Sequence, residues 1–147
     1  MRKGLKTLAA LVAALGIGLA LAAVAVGSGG NKLGAQLRGT NEVPAAPASN
    51  RGRVEITLKP AAGKVCWEFF ITKIDGKPLA AHIHKGRAGA AGPVFIPLGT
   101  TFKRQGCFGA SKAKIKAVAV KPGAFYVNVH NAKHQAGAMR GQLRVHA

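Results

Sequence analysis

Lys64-Val65-Cys66-Trp67-Glu68-Phe69-Phe70-Ile71 alternates with the period of two that marks a β-strand. Val65, Trp67, Phe69 and Ile71 share one face and are expected in the core, while Cys66, Glu68 and Phe70 share the other. A phenylalanine on that second face predicts a strand covered on both sides. Upstream, Arg53-Val54-Glu55-Ile56-Thr57-Leu58 alternates as well, with Val54, Ile56 and Leu58 inward, and Pro60-Ala61-Ala62-Gly63 supplies the turn. Lys32 to Arg38 reads as a first strand. Thr40 to Asn50 reads as a loop, because Pro44 and Pro47 each remove a ladder donor. Downstream of the Asp75-Gly76-Lys77-Pro78 turn, strands are expected over Leu79 to His84, Val94 to Leu98, Thr100 to Phe108, Phe125 to His130 and Ala138 to Val145. In Ser111 to Val120, Ser111 would cap a short helix, yet Lys112, Lys114 and Lys116 alternate with Ala113, Ile115 and Ala117, which suits a strand better. About eight short strands without a long amphipathic helix predict an all-β fold, a Greek-key β-sandwich or flattened barrel.

Residues 1–30 stand apart from this pattern. Arg2, Lys3 and Lys6 precede an uncharged run from Leu8 to Val26, closed by the small residues Ala23, Ala25 and Gly27. This is the plan of a secretory signal peptide, and the run is also long enough for a retained N-terminal anchor. No cysteine follows the run to carry a lipid. The expected location is therefore secreted or cell-envelope, with membrane contact only through an uncleaved leader. Residues 31–147 are enough for one domain with a real core and too few for two. They carry 19 Lys and Arg against the four acids Glu42, Glu55, Glu68 and Asp75. A surface so basic tolerates or binds anionic neighbours, so the expected partners are an undefined protein or a cell-surface polyanion. No basic-aromatic motif points to sequence-specific nucleic-acid recognition.

Cys66 and Cys107 are the two cysteines. An exported chain places them where disulfides persist, and two pair without ambiguity. The alternative is a pair of buried free thiols. Metal ligation by these two fits poorly, since neither has a second thiol or histidine at C-x-x-C spacing.

The chemistry-bearing residues cluster in two segments. In Ala81-His82-Ile83-His84-Lys85-Gly86-Arg87-Ala88-Gly89-Ala90-Ala91-Gly92-Pro93, two histidines sit at i and i+2 before a glycine-rich loop. About forty residues later, Val127-Asn128-Val129-His130 ends in a histidine and a polar loop that leads to Ala138-Met139-Arg140-Gly141-Gln142-Leu143. Strand parity sets His82 and His84 opposite Ala81 and Ile83. It sets Tyr126, Asn128 and His130 opposite Phe125, Val127 and Val129. If the two strands are neighbours, His82, His84 and His130 converge on one outward-facing spot, a donor set suited to copper or zinc. His134 is a candidate fourth ligand; Asn128, His134 and Arg140 are candidate binding residues at the rim. Arg140 reads equally as a buried clamp or as an exposed carboxylate fork. The histidines also have a plainer role available, as hydrogen-bond partners of loop backbone. No catalytic residues are assigned: the four acids are scattered and no nucleophile stands beside a base. No cofactor beyond copper or zinc is implied.

Taken together, Val65-Cys66-Trp67, the Ala81 to Val94 segment, Gly106-Cys107, Tyr126 to His130 and Gly137-Ala138-Met139-Arg140-Gly141-Gln142-Leu143 resemble the CHRD (chordin-type) domain family, from about Leu33 to Val145. The resemblance implies an exported β-sandwich-type domain of mostly undefined molecular role, and the expected role is that of an extracytoplasmic binding or structural module, not an enzyme. A remoter likeness is to copper/zinc superoxide dismutase, in which a strand H-x-H and a later strand histidine ligate copper on a Greek-key barrel. His82, His84 and His130 map onto three of those ligands. The sequence departs from that pattern by having no bridging histidine between Gly86 and Gly99 and no zinc-site aspartate. The likeness therefore implies copper binding more than dismutase activity.

Overall fold

The computed structural model describes residues 31–146, so the predicted leader lies outside the described residues. Nine strands and one helix follow in order: β1 (Lys32–Arg38), β2 (Arg51–Lys59), β3 (Lys64–Lys73), β4 (Pro78–Lys85), β5 (Val94–Pro97), β6 (Gln105–Gly109), α1 (Lys112–Val120), β7 (Phe125–Asn131), β8 (Met139–Gln142) and the two-residue β9 (Arg144–Val145). Eight strands pair antiparallel in the order β5-β4-β7-β8-β1-β2-β3-β6, and β9 adds to β1. The two edges of this path are tied through residues 98–104. Leu98 and Phe102 donate their amides to the carbonyls of Ala81 and Leu79 on β4, at 3.0 and 2.8 Å. Phe69 on β3 donates to Arg104 at 2.7 Å. The indole of Trp67 holds the same segment through the Lys103 carbonyl at 2.9 Å. The result is the expected all-β flattened barrel, nearly closed.

The interior holds the predicted alternating residues. Val54, Ile56 and Leu58 of β2, Val65, Trp67 and Phe69 of β3, Ala81 and Ile83 of β4, and Phe125, Val127 and Val129 of β7 are all buried in one core. The second face of β3 is covered only in part. Phe70 is half-buried beneath the Arg53 guanidinium, 3.7 Å from the ring centre, rather than beneath a second layer. Cys66 and Cys107 face each other across β3 and β6 and form the disulfide.

Two expectations are corrected. Lys112–Val120 is a helix, not a strand. The alternating lysines mislead because the buried pair is Ile115 and Val118, three apart on one helical face, and Ser111 caps the first turn by accepting from the Lys114 amide. The strand expected over Thr100 to Phe108 is confined to Gln105–Gly109. Its first half spends its backbone groups on closing the barrel instead.

Candidate metal centre

β4 and β7 are hydrogen-bonded neighbours, with His82 opposite Asn128, His84 opposite Tyr126 and Ala80 opposite His130. This register sets His82 and His130 diagonally across the pair, with His84 next along the same face. The ring centres of His82 and His130 are 5.0 Å apart, those of His82 and His84 5.5 Å, and those of His84 and His130 5.9 Å. One nitrogen from each ring lies within 4.8 Å of the other two.

The spot is not open to solvent, as strand parity alone had implied. The loop of residues 39–50 and the loop of residues 86–93 fold over this face of the sheet, leaving Asn128 1%, Tyr126 3%, Arg140 4% and His84 7% exposed. Arg140 holds both loops. Its Nε donates to the Asn41 carbonyl and its Nη1 to the Ala90 carbonyl at 3.0 Å. Its guanidinium lies over Tyr126, which in turn stacks on His84 with ring centres 5.0 Å apart and planes 10° from parallel. The buried-clamp reading of Arg140 is the one that holds, and Asn128 is a wall of the pocket, not part of an exposed rim.

Backbone carbonyls fix two of the imidazoles. His84 Nδ1 donates to the Gly92 carbonyl and His130 Nδ1 to the Gln135 carbonyl, each at 2.8 Å. A carbonyl only accepts, so each Nδ1 carries the hydrogen and each Nε2 keeps a free lone pair. Those two Nε2 atoms, and Nδ1 of His82, are buried without a hydrogen-bond partner. Gly92 is the residue that makes this possible. A Cβ there would collide with the Lys85 carbonyl, and its amide donates to the Tyr126 hydroxyl at 3.1 Å while its carbonyl holds His84.

All three imidazoles are pushed toward the neutral form. Burial pushes His82 down to about 4, reinforced by repulsion from His130 and His84. Burial also lowers His84, opposed by the Gly92 carbonyl and by the Asn128 side chain, with the charges of His130 and Arg140 adding to the lowering. It lowers His130 against the opposing effect of the Gln135 carbonyl. None of the four acids contributes to these shifts.

His134 does not join the group. Its Nε2 is 3.5 Å from Asp75 Oδ2, and its backbone amide donates to Asn131 Oδ1, so it belongs to the polar turn where Asp75 also takes Lys133. Two contributors escaped the sequence reading. Tyr126 shares the parity of Asn128 and His130, so its place in the wall was open to inference. Glu42, 3.6 Å from Arg140 Nε, comes from a proline-rich loop with no periodicity to place it.

The arrangement is a covered pocket with three neutral imidazoles, two of them with assigned lone pairs, and an arginine that locks the lid. In the comparisons with known proteins, the model of the CHRD domain matches residues 33–143. No curated protein and no solved structure matches the chain. With the matched segment running from β1 through β8 and taking in all three histidines and both cysteines, the chain belongs to the CHRD domain family.

Proposed function

We propose that this CHRD protein is an extracytoplasmic binding module that holds a copper or zinc ion at His82, His84 and His130. The observation that carries the reading is the orientation of the rings. His84 and His130 each spend one nitrogen on a backbone carbonyl, which leaves the other as a buried, unpartnered acceptor beside its neighbours. A histidine with only a structural role would pair both nitrogens or turn one to water; burying two such lone pairs beside a third unpartnered ring nitrogen costs free energy that a cation recovers. The carbonyls also serve as the outer partners that fix the tautomer of a ligating imidazole. Imidazole on rigid strands suits copper and zinc, and magnesium or calcium would ask for oxygen donors that are not in the group. The reading is of binding rather than catalysis, because among the described residues no carboxylate acts on the three rings. The Cys66–Cys107 disulfide and the leader-like composition of residues 1–30 support work in an oxidising compartment.

The test is titration of the purified, oxidised protein with Cu(I), Cu(II) and Zn(II) beside His82→Ala and His130→Ala. One ion per chain is expected, with binding weakened at least a hundredfold in either variant. Equal binding by the variants, or nothing tighter than about 10 μM, would sink the reading.

A further inference from the structure

On the same outer face of the sheet, running outward from the arginine that clamps the histidine pocket, arginines gather across β8, β1, β2 and β9. Arg38 on β1 is directly opposite Arg140 on β8 and directly opposite Arg51 on β2. Residues paired in this way share a face, with about 5 Å from strand to strand, so three guanidinium-bearing positions stand in a row roughly 10 Å long. Arg53 lies two residues along from Arg51, its guanidinium flat on Phe70, and Arg144 sits on β9. Arg38, Arg53, Arg140 and Arg144 line one groove of about 870 Å³, and Arg38, Arg51 and Arg53 line a shallower one that adjoins it.

The acids in this region are already engaged. Glu42 faces Arg140, and Glu55 is 3.5 Å from Arg53. Arg38, Arg51 and Arg144 have no carboxylate within ion-pair distance among the described residues. Like charges placed directly opposite on paired strands oppose folding, and the cost is modest only while solvent or an anion screens them. The row is mostly arginine, continued by Lys73 directly opposite Arg51 on β3. A planar fork takes an oxyanion through two parallel hydrogen bonds, which a lysine ammonium does not.

We propose that this groove binds a linear acidic polysaccharide, with successive anionic groups taken by Arg38, Arg51 and Arg53. A polymer fits better than a single small anion, because the forks are spread along a row and not converged on one point. A glycan fits better than a nucleic acid. The groove offers no run of rings on which successive bases could stack: Phe70 is already covered by Arg53, and His146 is the other ring that lines it. The residues that take the anions, Arg38, Arg51 and Arg53, are not among those that hold the histidine pocket, so the proposal does not rest on the metal reading, although Arg140 lines the groove and also clamps the pocket.

The experiment uses the full oxidised protein with oligogalacturonate, a carboxylated glycan, and heparin, a sulfated one, and with single-stranded DNA of matched charge. Binding is measured between 50 and 300 mM salt. Affinity for at least one glycan is expected to fall with a log–log salt slope of about two to three, set by the counterions released as the arginines neutralise that many oxyanions. Whichever glycan binds identifies the oxyanion. Arg38→Glu with Arg51→Glu is expected to weaken binding at least thirtyfold. Lys112→Glu with Lys116→Glu, an equal charge change on α1, is expected to cost less than threefold. Circular dichroism and the intact disulfide check that both variants fold. If the α1 variant loses as much as the groove variant, if DNA binds as well as the glycans, or if neither glycan binds, the proposal is overturned. Should the groove variant fail to fold, Arg38→Gln with Arg51→Gln replaces it and is expected to lose about tenfold; unchanged binding by that variant overturns the proposal equally.

Discussion

The guanidinium of Arg140 lies 4.6 Å from the centre of the Tyr126 ring, and Tyr126 stacks on His84 from the other side. One arginine thus reaches the histidine pocket through an aromatic spacer while its nitrogens tie down both loops that cover the pocket. This side chain and Glu42 are both buried, so removing the arginine unlids the pocket and strands a carboxyl. Arg140→Met is expected to cost about 3–5 kcal/mol, the usual penalty for breaking a buried pair from one side. Arg140→Lys should recover only a part, because an ammonium cannot serve Asn41 and Ala90 together in the same planar geometry. Urea denaturation of both variants tests this; a loss below 1 kcal/mol in Arg140→Met would show the clamp to be incidental.

Gly92 makes a second prediction. Its lack of a side chain lets the 86–93 loop fold back on Lys85, and both its amide and its carbonyl are committed to pocket residues. Gly92→Ala is expected to lose about 1–3 kcal/mol through backbone displacement and to lower metal affinity more than tenfold, because His84 loses the carbonyl that orients it. Gly109→Ala on β6 is the control for metal affinity, since a Cβ at that position meets nothing within 4 Å. Equal effects on metal affinity from the two substitutions would remove Gly92 from the account of the site.

The disulfide joins paired positions on β3 and β6, at a sequence separation of 41. Cross-linking a loop of that length restricts the unfolded chain by roughly 4 kcal/mol in the chain-entropy model. The double variant Cys66→Ala, Cys107→Ala should lose stability on that order, mainly by gaining unfolded-state freedom, with the core of Val65, Trp67 and Phe69 intact. A thermal unfolding comparison reads the loss directly. No change in midpoint would mean that the bond contributes nothing beyond the strand pairing.

The alternation in β2, β3, β4 and β7 was enough to place the core, because burial on one face of a strand leaves a period-two record in the residues. The convergence of His82, His84 and His130 followed from the same parity once β4 and β7 were taken as neighbours. What covers that face left no such record. Loops 39–50 and 86–93 contribute backbone carbonyls, which every residue owns, so nothing in Asn41, Ala90 or Gly92 as letters announces a bond to Arg140 or His84. The helix at Lys112–Val120 failed for a related reason. Its exposed lysines happened to alternate, and only the contact of Ile115 and Val118 with the barrel decides the period. His134 looked like a ligand from its spacing to His130, yet Asp75, more than fifty residues upstream, takes it instead.

The three histidines and Glu42 give the metal-free protein opposing pH dependences. His82 is pushed from 6.5 down to about 4, so its neutral form contributes stability that is fully present above pH 6.5 and is lost as pH falls through 4. His84 and His130, also lowered, act in the same direction. Glu42 is pushed up from 4.5 to about 7 by burial, against the pull of Arg140. Its protonated form contributes stability that is full below pH 4.5 and is lost as pH rises through 7. Wild-type stability should therefore climb from pH 4 toward 6.5 less steeply than the three histidines alone would make it, and then flatten or fall toward pH 8. Glu42→Gln keeps the shape of the acid without its charge. Its stability relative to wild type should rise between pH 5 and 8, by up to about a hundredfold in the folding equilibrium. His82→Asn should show the reverse asymmetry, losing less than wild type on acidification from pH 6.5 to 4. Urea denaturation at unit pH steps separates the two, and curves that run parallel to wild type in both variants would rule out these side chains as the titrating groups.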